Sequence, residues 1–279
     1  MSEGLSSEAD DTARTYYNSE DADAFYYHIW GGEDIHVGIY FSPDEAIRTA
    51  SRRTVERMTA KLARAITPTT HVLDLGSGFG GAARYLAKTF GCRVTALNIS
   101  EVENERHRAM NVEQEVSHLI EVIDGSFESI PLPDDSVDLV WSQDAILHSG
   151  NRKAVIGEVN RVLKAGGEFV FTDPMQSDDC PPGVLQPILD RIHLSSLSSP
   201  GFYREACEAA GLRQLLFEEM THHLVRHYER VLDETTRRED ELSGDVSPEY
   251  VTNMKKGLQY WIDGGKAGYL SWGIFTFAK

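Results

Sequence analysis

The segment VLDLGSGFGG combines an acid with closely spaced glycines, and these residue types suggest a ligand-binding loop. Gly76, Gly78 and Gly81 satisfy the pattern G-x-G-x-x-G, in which glycines allow a ligand to approach the backbone closely. A dinucleotide site would place an acid at the end of the second strand, where this sequence has Asn98. The acid instead precedes the glycines, at Asp74, and a carboxylate there would repel a pyrophosphate but attract a cationic ligand.

The strands and helices predicted around this loop indicate where in the fold it lies. Apolar runs alternate with helical segments: we predict strands at 70–76, 92–100, 120–127, 137–148 and 168–175, and helices at 81–90, 101–116 and 152–167. This alternation indicates βαβ units, and therefore an α/β fold with a mostly parallel sheet and helices on both faces. Ligands of such sheets bind beyond the carboxyl ends of the strands, where the glycine loop is predicted to lie.

The charge of the loop suggests which nucleotide it would bind. S-adenosylmethionine carries an ammonium and a sulfonium group, and Asp74 therefore favours it over a nicotinamide dinucleotide. Turn chemistry is the alternative explanation for each residue taken singly, because Asp and Gly end strands in many proteins.

Four segments in order resemble the motifs of the class I S-adenosylmethionine-dependent methyltransferases: VLDLGSGFGG, ALNIS, IDGSF and the end of VDLVWSQ. The resemblance implies a Rossmann-like fold and assigns these residues to cofactor binding: Asp74, Gly76, Gly78, Asn98, Asp124, Ser126, Phe127 and Gln143. It places Asn98 at the ribose hydroxyls, where Asp or Glu is more usual, and Asp124 near the adenine amino group. Ser126 and Phe127 would wall the adenine ring, and Gln143 would face the methionine end.

The segment that precedes the glycine loop is rich in aromatic residues. Residues 16–41 hold eight of them, where the chain average of 9% would give roughly two or three. An amphipathic helix could bury these rings, or some of them could surround a methylated ammonium group. We predict a further helix at 42–66. The chain would then consist of a disordered acidic arm at 1–12, an N-terminal helical cap at 13–66 and a methyltransferase domain at 67–279, with a helical lid around 176–210 inserted after the fifth strand.

The stretch SQDAILHS follows the fourth strand and should overhang the reacting centre. Asp144 and His148 are four residues apart, so one helical turn would put both on one face. Asp144 could hold an ammonium group and His148 could accept its proton, or the Asp could cap a helix and the His could pack in the core. The stretch resembles the phosphoethanolamine N-methyltransferases, which implies an active-site Asp and His with a lid tyrosine, best matched by Tyr17.

A wider resemblance, over nearly the whole chain, is to the sarcosine/dimethylglycine N-methyltransferases. It is carried by YYNSEDADAFYYHIWGGEDIHVGIY and by TDPM after the fifth strand. It implies methylation of sarcosine and N,N-dimethylglycine to glycine betaine, a compatible solute. The residues that we expect at the acceptor are Tyr26, Trp30, Pro174, Met175, Arg191 and His193. The acceptor carboxylate needs a cation, which Arg191 or His193 in the lid could supply, although a surface Arg is more often simply solvated.

Composition narrows the range of partners. The 279 residues include 44 acidic and 27 basic ones, and a net charge of -17 argues against binding of nucleic acid. No apolar run is long enough to cross a bilayer, and the N-terminus has no secretory signal. Three widely spaced cysteines form neither a disulfide framework nor a zinc motif, so we expect the cytoplasm and no metal. A small-molecule substrate is what the resemblance to the N-methyltransferases implies. The acidity fits either ordinary solubility or adaptation to high salt. The sequence gives no oligomeric state, and we favour a monomer.

Other functions stay open at this point. A different small-molecule methyltransferase, acting on phosphoethanolamine or a sterol, would keep the fold and the cofactor. A non-catalytic S-adenosylmethionine-binding module would bind the cofactor without turnover. A nicotinamide oxidoreductase is disfavoured by Asp74 and Asn98.

Overall fold

Short helices form the N-terminal part of the molecule. The computed structural model describes residues 8–30 and 32–279. The elements before the sheet are α1 (Glu8–Tyr17), α2 (Glu20–Phe25), a π-helical turn (Tyr26–Trp30) and α3 (Ile47–Thr59). We call this part of the chain, up to Thr59, the cap.

The central part of the chain alternates strands with helices. It contains β1 (His71–Leu75), α4 (Gly81–Phe90), β2 (Arg93–Asn98), α5 (Glu101–Glu113), β3 (Ile120–Asp124), β4 (Val137–Gln143), a 3-10 turn (Ile146–His148), α6 (Arg152–Val162) and β5 (Leu163–Thr172). Every strand and helix predicted for this part is present. The largest differences lie at the end of α6, because Leu163 already pairs with Val137 and begins β5 earlier than predicted.

The last part of the chain completes the sheet and adds further helices. It contains β6 (Met175–Gln176), α7 (Gln186–Arg191), α8 (Pro200–Ala209), β7 (Arg213–Glu219), α9 (Thr221–Arg237), α10 (Glu239–Leu242), α11 (Pro248–Lys266), β8 (Leu270–Ser271) and β9 (Gly273–Ala278). The two longest helices, α9 and α11, both carry charged side chains. None of the helices in the described part of the chain is long and apolar enough to cross a membrane.

Seven strands form the main sheet in the order β3-β2-β1-β4-β5-β9-β7. The first five strands of that order are parallel, and β9 is antiparallel to both of its neighbours. Val72 and Leu73 of β1 pack into different buried clusters, as consecutive residues do in a strand that is covered on both faces. The predicted α/β fold, a mostly parallel sheet with helices on both faces, is confirmed.

Helix starts place polar side chains at the carboxyl edge of the parallel strands. Helix α4 follows Gly80, whose φ of 77° lies in the left-handed region that glycine tolerates. Helix α5 is capped by Ser100, whose Oγ accepts a hydrogen bond from the Glu103 N–H, and α6 is capped in the same way by Asn151. Because each helix begins close to the end of a strand, the side chains at these junctions meet at one edge of the sheet.

The start of α1 differs from the sequence-based prediction. Residues 8–12 are helical, so the prediction of a disordered arm at 1–12 is wrong for this part, and residues 1–7 lie outside the described residues. Helix α1 packs against the start of α5, where Arg14 forms an ion pair with Glu101 at 3.5 Å. The cap is therefore held to the sheet by contacts that composition alone does not reveal.

Helix α3 is shorter than the helix predicted at 42–66. Glu45, expected in its first turn, instead forms an ion pair with Arg53 and accepts a hydrogen bond from a backbone N–H group. At the other end, backbone N–H groups after the helix donate to both carboxylate oxygens of Glu168. A local ion pair thus lies at the start of the helix, whereas a side chain of β5 binds the backbone that follows its end.

The helices above the strand ends are only partly those of the lid predicted around 176–210. Helix α8 lies within that range, but it packs against α6 and β7, and its Tyr203 contacts Phe171 of the sheet core. It therefore belongs to the helical layer on the sheet. Helix α7 does reach the strand ends, and α9 and α11 add Tyr228 and Trp261 there. That this region opens and closes as a lid stays a prediction.

Gly81, the first residue of α4, has no room for a side chain. A Cβ atom there would lie 2.1 Å from Asp34 Oδ1 and 2.6 Å from the Glu33 carbonyl oxygen. We expect Gly81→Ala to lower the free energy of unfolding by about 1–3 kcal/mol. The matched control is Gly157→Ala, at an exposed position in α6 with nothing within 4 Å of a Cβ atom. The control should raise the free energy by about 0.5–1 kcal/mol. Urea unfolding measures both, and equal effects would contradict this account of the contact between cap and loop.

Candidate active site

A deep pocket lies at the carboxyl edge of β1, β2, β4 and β5, under the cap. The strand ends and their loops contribute Gly76, Gly78, Asn98, Ser126, Phe127, Gln143, Asp144, His148 and Pro174. The cap contributes Tyr16, Tyr17, Tyr26, Trp30 and residues 35–37, and α5 contributes Glu103. The helices above contribute Arg191, Tyr228, Met254 and Trp261. Most residues predicted from the motifs are thus brought together in one space.

The glycines of the loop are required by neighbouring protein atoms. Gly76 has a φ of 70°, and a Cβ atom there would lie 2.3 Å from the Ala145 Cβ. Gly78 has a φ of 49°, and a Cβ atom would lie 2.9 Å from Ile35 Cδ1. The sequence suggested that these glycines make room for a ligand, whereas the structure shows that they also let the cap and the β4 loop close around the backbone.

A small cavity beside the glycine loop holds buried polar atoms without hydrogen-bond partners. These atoms are Asp34 Oδ1, Asp74 Oδ2, Ser77 Oγ, Gln143 Nε2 and His36 Nε2, and the His36 nitrogen lies 3.7 Å from Asp34 Oδ1. Burial raises the pKa of Asp74 to about 7, and a cationic partner would stabilise its ionised form. The set supplies an acceptor for an ammonium group and donors for a carboxylate. It therefore fits the amino-acid end of S-adenosylmethionine, and Asp74 and Gln143 were predicted for this role.

Asn98 is hydrogen-bonded to Glu103, an acid that the sequence analysis did not identify as a site residue. The Asn98 amide donates to Glu103 Oε2 at 2.8 Å, and both residues line the pocket. Burial raises the pKa of Glu103 to about 7. This carboxylate could bind the ribose diol that an acid at the strand end usually binds. The spacing of Ser100 and Glu103 was the available signal, but S-x-x-E also describes an ordinary helix start.

The adenine end of the site is only partly as predicted. Ser126 and Phe127 line the pocket. Asp124 is exposed outside the lining, where its carboxylate accepts hydrogen bonds from Asn104 at 2.9 Å and from Arg108 at 2.7 Å. Its proposed role beside the adenine amino group stays a prediction.

Tyr17 and His148 form a hydrogen-bonded pair between the cap and the β4 loop. The Tyr17 hydroxyl lies 2.9 Å from His148 Nε2. Burial and the nearby charge of Arg152 lower the pKa of His148 to about 4, whereas burial raises the pKa of Tyr17 well above its usual value. At neutral pH the phenol is therefore protonated and the imidazole neutral, so the hydroxyl can donate to Nε2.

Asp144 joins three parts of the structure. Its carboxylate accepts hydrogen bonds from the Val37 N–H at 2.7 Å and from Trp272 Nε1 at 2.8 Å. The residue has a φ of 50° and precedes the 3-10 turn, so the prediction of one α-helical turn that carries both Asp144 and His148 is wrong. Both side chains nevertheless line the pocket, because the chain turns sharply between them.

The residues predicted for the acceptor divide into two groups. Tyr26, Trp30, Pro174 and Arg191 line the pocket. Met175 is fully buried in the core cluster that contains Phe171 and Phe275, and it is not part of the lining. His193 is exposed beyond the end of α7, outside the lining, with a φ of 55°. Of the two candidate lid cations, only Arg191 therefore faces the pocket in this structure.

Arg191 is a cation in the pocket without an acidic partner. No Asp or Glu in the described part of the chain forms an ion pair with it, and its Nε atom is buried without a hydrogen-bond partner. Its Nη2 donates to the Tyr16 hydroxyl at 3.4 Å, and that hydroxyl lies 3.3 Å from the Tyr26 hydroxyl and 3.2 Å from the Tyr250 hydroxyl. The guanidinium and the phenols can together bind a carboxylate. The sequence analysis did not single out Tyr16 or Tyr250.

Aromatic rings form much of the remaining wall. Tyr26 packs against Trp30 with ring centroids 5.1 Å apart, and Tyr228 stacks on Trp261 at 5.2 Å. Such faces attract an alkylated ammonium group without forming hydrogen bonds to it. No cluster of three or more His, Cys, Asp or Glu residues in the described ranges could hold a metal ion.

Comparison with known proteins agrees with the fold and the site. The family described as "Methyltransferase domain" matches residues 73–171. The sarcosine/dimethylglycine N-methyltransferase of Halorhodospira halochloris is 59% identical over 98% of this chain and 97% of its own. That of Aphanothece halophytica is 56% identical over 96% of each chain. A crystal structure from Galdieria sulphuraria, provisionally described as a sarcosine dimethylglycine methyltransferase, is 44% identical, has a TM-score of 0.90 and covers 95% of this chain and 98% of its own.

The fold and the pocket define an enzyme of the class I methyltransferases, and its cofactor is S-adenosylmethionine. Within that class, the chain belongs to the family of the sarcosine/dimethylglycine N-methyltransferases.

The proposed role of Glu103 in cofactor binding can be tested by binding alone. We expect Glu103→Ala to weaken binding of S-adenosylhomocysteine roughly 10- to 100-fold, because a charged hydrogen bond to the ribose is lost. Isothermal titration calorimetry at neutral pH measures the dissociation constant. Glu105→Ala, at an exposed position in the same helix, is the control and should bind as the wild type does. Equal dissociation constants for the two variants would contradict the assignment.

Proposed function

We propose that this enzyme methylates the nitrogen of sarcosine and of N,N-dimethylglycine and so produces glycine betaine, a compatible solute. The observation that carries the proposal is the unpaired Arg191 guanidinium in a pocket otherwise walled by aromatic rings. An acceptor with one carboxylate and one alkylated amine complements these two features. The names of the relatives support the same substrates.

The cofactor would occupy the side of the pocket that faces the glycine loop. Asp74, His36 and Gln143 would hold its amino-acid end, because their free polar atoms face the small cavity. Asn98 and Glu103 would hold the ribose. When bound there, the cofactor supplies a methyl group that its sulfonium already activates, so the chain has to position the acceptor and exclude water.

The acceptor would bind between the cofactor and α7. Arg191 and the Tyr16 hydroxyl would bind its carboxylate, which fixes one end of a small molecule. The rings of Tyr26 and Trp30 would pack against the methyl groups of its amine. With one end fixed, the lone pair of the nitrogen can be aimed along the axis of transfer.

Tyr17, His148 and Asp144 would handle the proton and the charge of the amine. Before the methyl transfer, the ammonium N–H of the acceptor would donate to the Tyr17 oxygen, while the Tyr17 hydroxyl donates to neutral His148. The ammonium proton would pass to Tyr17 as the Tyr17 proton passes to His148, which leaves the imidazole protonated and frees the nitrogen lone pair for attack on the methyl group. Asp144 would contribute its negative charge beside this centre, while its hydrogen bonds to Val37 and Trp272 hold it in place.

The cationic content of the pocket argues against a phosphorylated acceptor. A phosphate dianion calls for several donors of positive charge, and Arg191 is the only Arg or Lys among the lining residues that the structure describes. We further propose that the enzyme works in the cytoplasm, in keeping with its cysteine content. We also propose that it works as a monomer.

The proposed reaction is tested by methyl transfer from labelled S-adenosylmethionine to glycine, sarcosine, N,N-dimethylglycine and phosphoethanolamine in parallel. We expect turnover of sarcosine and N,N-dimethylglycine, with glycine betaine as the final product. Turnover of phosphoethanolamine alone would contradict the acceptor assignment. An absence of turnover with retained binding of S-adenosylhomocysteine would indicate a binding module.

The role of Arg191 is tested by substitution. We expect Arg191→Gln to raise the KM for N,N-dimethylglycine at least about tenfold, because a charged contact to the carboxylate is lost. Arg191→Lys should recover only part of this loss, since an ammonium group lacks the planar fork of a guanidinium. Arg204→Gln, at an exposed position in α8, is the control and should leave KM unchanged. An unchanged KM in Arg191→Gln would show that the carboxylate binds elsewhere.

A further inference from the structure

The backbone at Leu147, which we call the Leu147 peptide, is held at its N–H and at its carbonyl oxygen by residues outside the pocket lining. Its N–H donates to Asp173 Oδ1 at 3.0 Å, and its carbonyl oxygen accepts from Arg152 Nη2 at 2.7 Å. Leu147 is the central residue of the 3-10 turn, and His148 follows it directly. The position of this peptide therefore sets the position of the imidazole.

The two side chains that hold this peptide are themselves anchored. The second oxygen of Asp173 accepts a hydrogen bond from the Tyr203 hydroxyl in α8. Arg152 also donates to Ser196, through both the hydroxyl and the carbonyl oxygen of that residue. Asp173 and Arg152, which together we call the clamp, thus connect the 3-10 turn to the end of β5, to α8 and to the segment after α7.

The end of β5 holds the start of the same loop. The Asp144 N–H donates to the Thr172 carbonyl oxygen at 2.9 Å, one residue before Asp173. Thr172 and Asp173, consecutive residues at the end of β5, thus hold Asp144 and Leu147, which enclose Ala145 and Ile146. Asp144 and His148, which the chain turns toward the pocket from this loop, keep a fixed separation as a result.

We propose that Asp173 and Arg152 are positioning residues, which clamp the Leu147 peptide and thereby hold His148 at hydrogen-bond distance from Tyr17. The proposal rests on the proposed function in one respect, namely that His148 accepts the proton of the acceptor amine. Without the clamp, the turn could relax and the imidazole could lose its alignment with the Tyr17 hydroxyl.

Two substitutions of Asp173 separate its hydrogen bond to Leu147 from its contribution to stability. Burial raises the pKa of Asp173 to about 7, so its ionised form is disfavoured in the folded state and adds little to stability at neutral pH. Asp173→Asn keeps an acceptor for the Leu147 N–H and should therefore fold at least as well as the wild type. Asp173→Ala removes the acceptor and leaves a buried N–H group unpaired.

The experiment compares two disruptive variants, Asp173→Ala and Arg152→Gln, with two conservative ones, Asp173→Asn and Arg152→Lys. Lys153→Gln is the control, because it removes an exposed cation from the next position of the same helix. Steady-state kinetics give kcat and KM for N,N-dimethylglycine, and calorimetry gives the affinity for S-adenosylhomocysteine. Multiple-bond proton–nitrogen spectra at pH 7.5 report the tautomer of His148 without any turnover.

We expect the disruptive variants to lose about tenfold or more in kcat, with KM and cofactor affinity within about threefold of the wild type. The conservative variants should recover most of kcat. In the wild type and the conservative variants, His148 should show one tautomer with its proton on Nδ1, whereas the disruptive variants should show averaging between tautomers.

Unchanged kcat and an unchanged His148 tautomer in both disruptive variants would overturn the proposal, as would a rise in KM at constant kcat. If Asp173→Ala fails to fold, the Arg152 pair still decides the question. If the wild type methylates neither amino acid, the proposed function fails, while the nitrogen spectra still decide whether the clamp sets His148. The two failures are therefore distinguishable.

Discussion

The buried carboxylate of Asp144 is the contact on which the pocket depends. It accepts hydrogen bonds from the Val37 N–H of the cap and from Trp272 beside β8, and its own N–H is bonded to the end of β5. Three segments that are far apart in the sequence therefore meet at the carboxyl edge of the sheet. Ion pairs such as Arg14–Glu101 and Arg84–Glu33 also hold the cap, but the Asp144 carboxylate joins it to the β4 loop at the point where the aromatic wall, the Tyr17–His148 pair and the small cavity beside the glycine loop meet.

The packing of the cap over the strand ends also determines which charges face the pocket. The protein carries a net charge of -17, yet the pocket contains a cation without an acidic partner. Arg191 lies among phenols and apolar rings, where a charge-assisted hydrogen bond is stronger than on the surface. Under the proposed function, an anionic acceptor would gain affinity there, whereas a neutral amine would have only the aromatic faces to bind. The wall would then select for the alkylated amine, and the guanidinium for the carboxylate at the other end of the molecule.

The sequence predicts the sheet well because its signals are local. Apolar runs, glycines and helix starts lie next to one another along the chain, and Asp74, Gly76 and Gln143 could be placed from their positions at strand ends. The features that could not be predicted depend on contacts between distant segments. Glu103 reads as a helix cap until its contact with Asn98 is seen, Met175 turns into the core rather than the pocket, and the clamp on Leu147 requires residues from β5 and α6 together. The contact of α1 with α5, which includes the ion pair between Arg14 and Glu101, likewise joins segments that are far apart in the sequence.

The claim that Arg191 reads the acceptor's carboxylate is tested most directly by a change in the acceptor rather than in the protein. The measurement is kcat/KM of the wild type for N,N-dimethylglycine and for N,N-dimethylglycinamide, in which an uncharged amide of similar shape replaces the carboxylate. We expect the amide to be at least about tenfold poorer, through a higher KM, because the guanidinium has no anion to bind. Equal values for the two acceptors would contradict the account, since the unpaired cation would then contribute nothing to recognition.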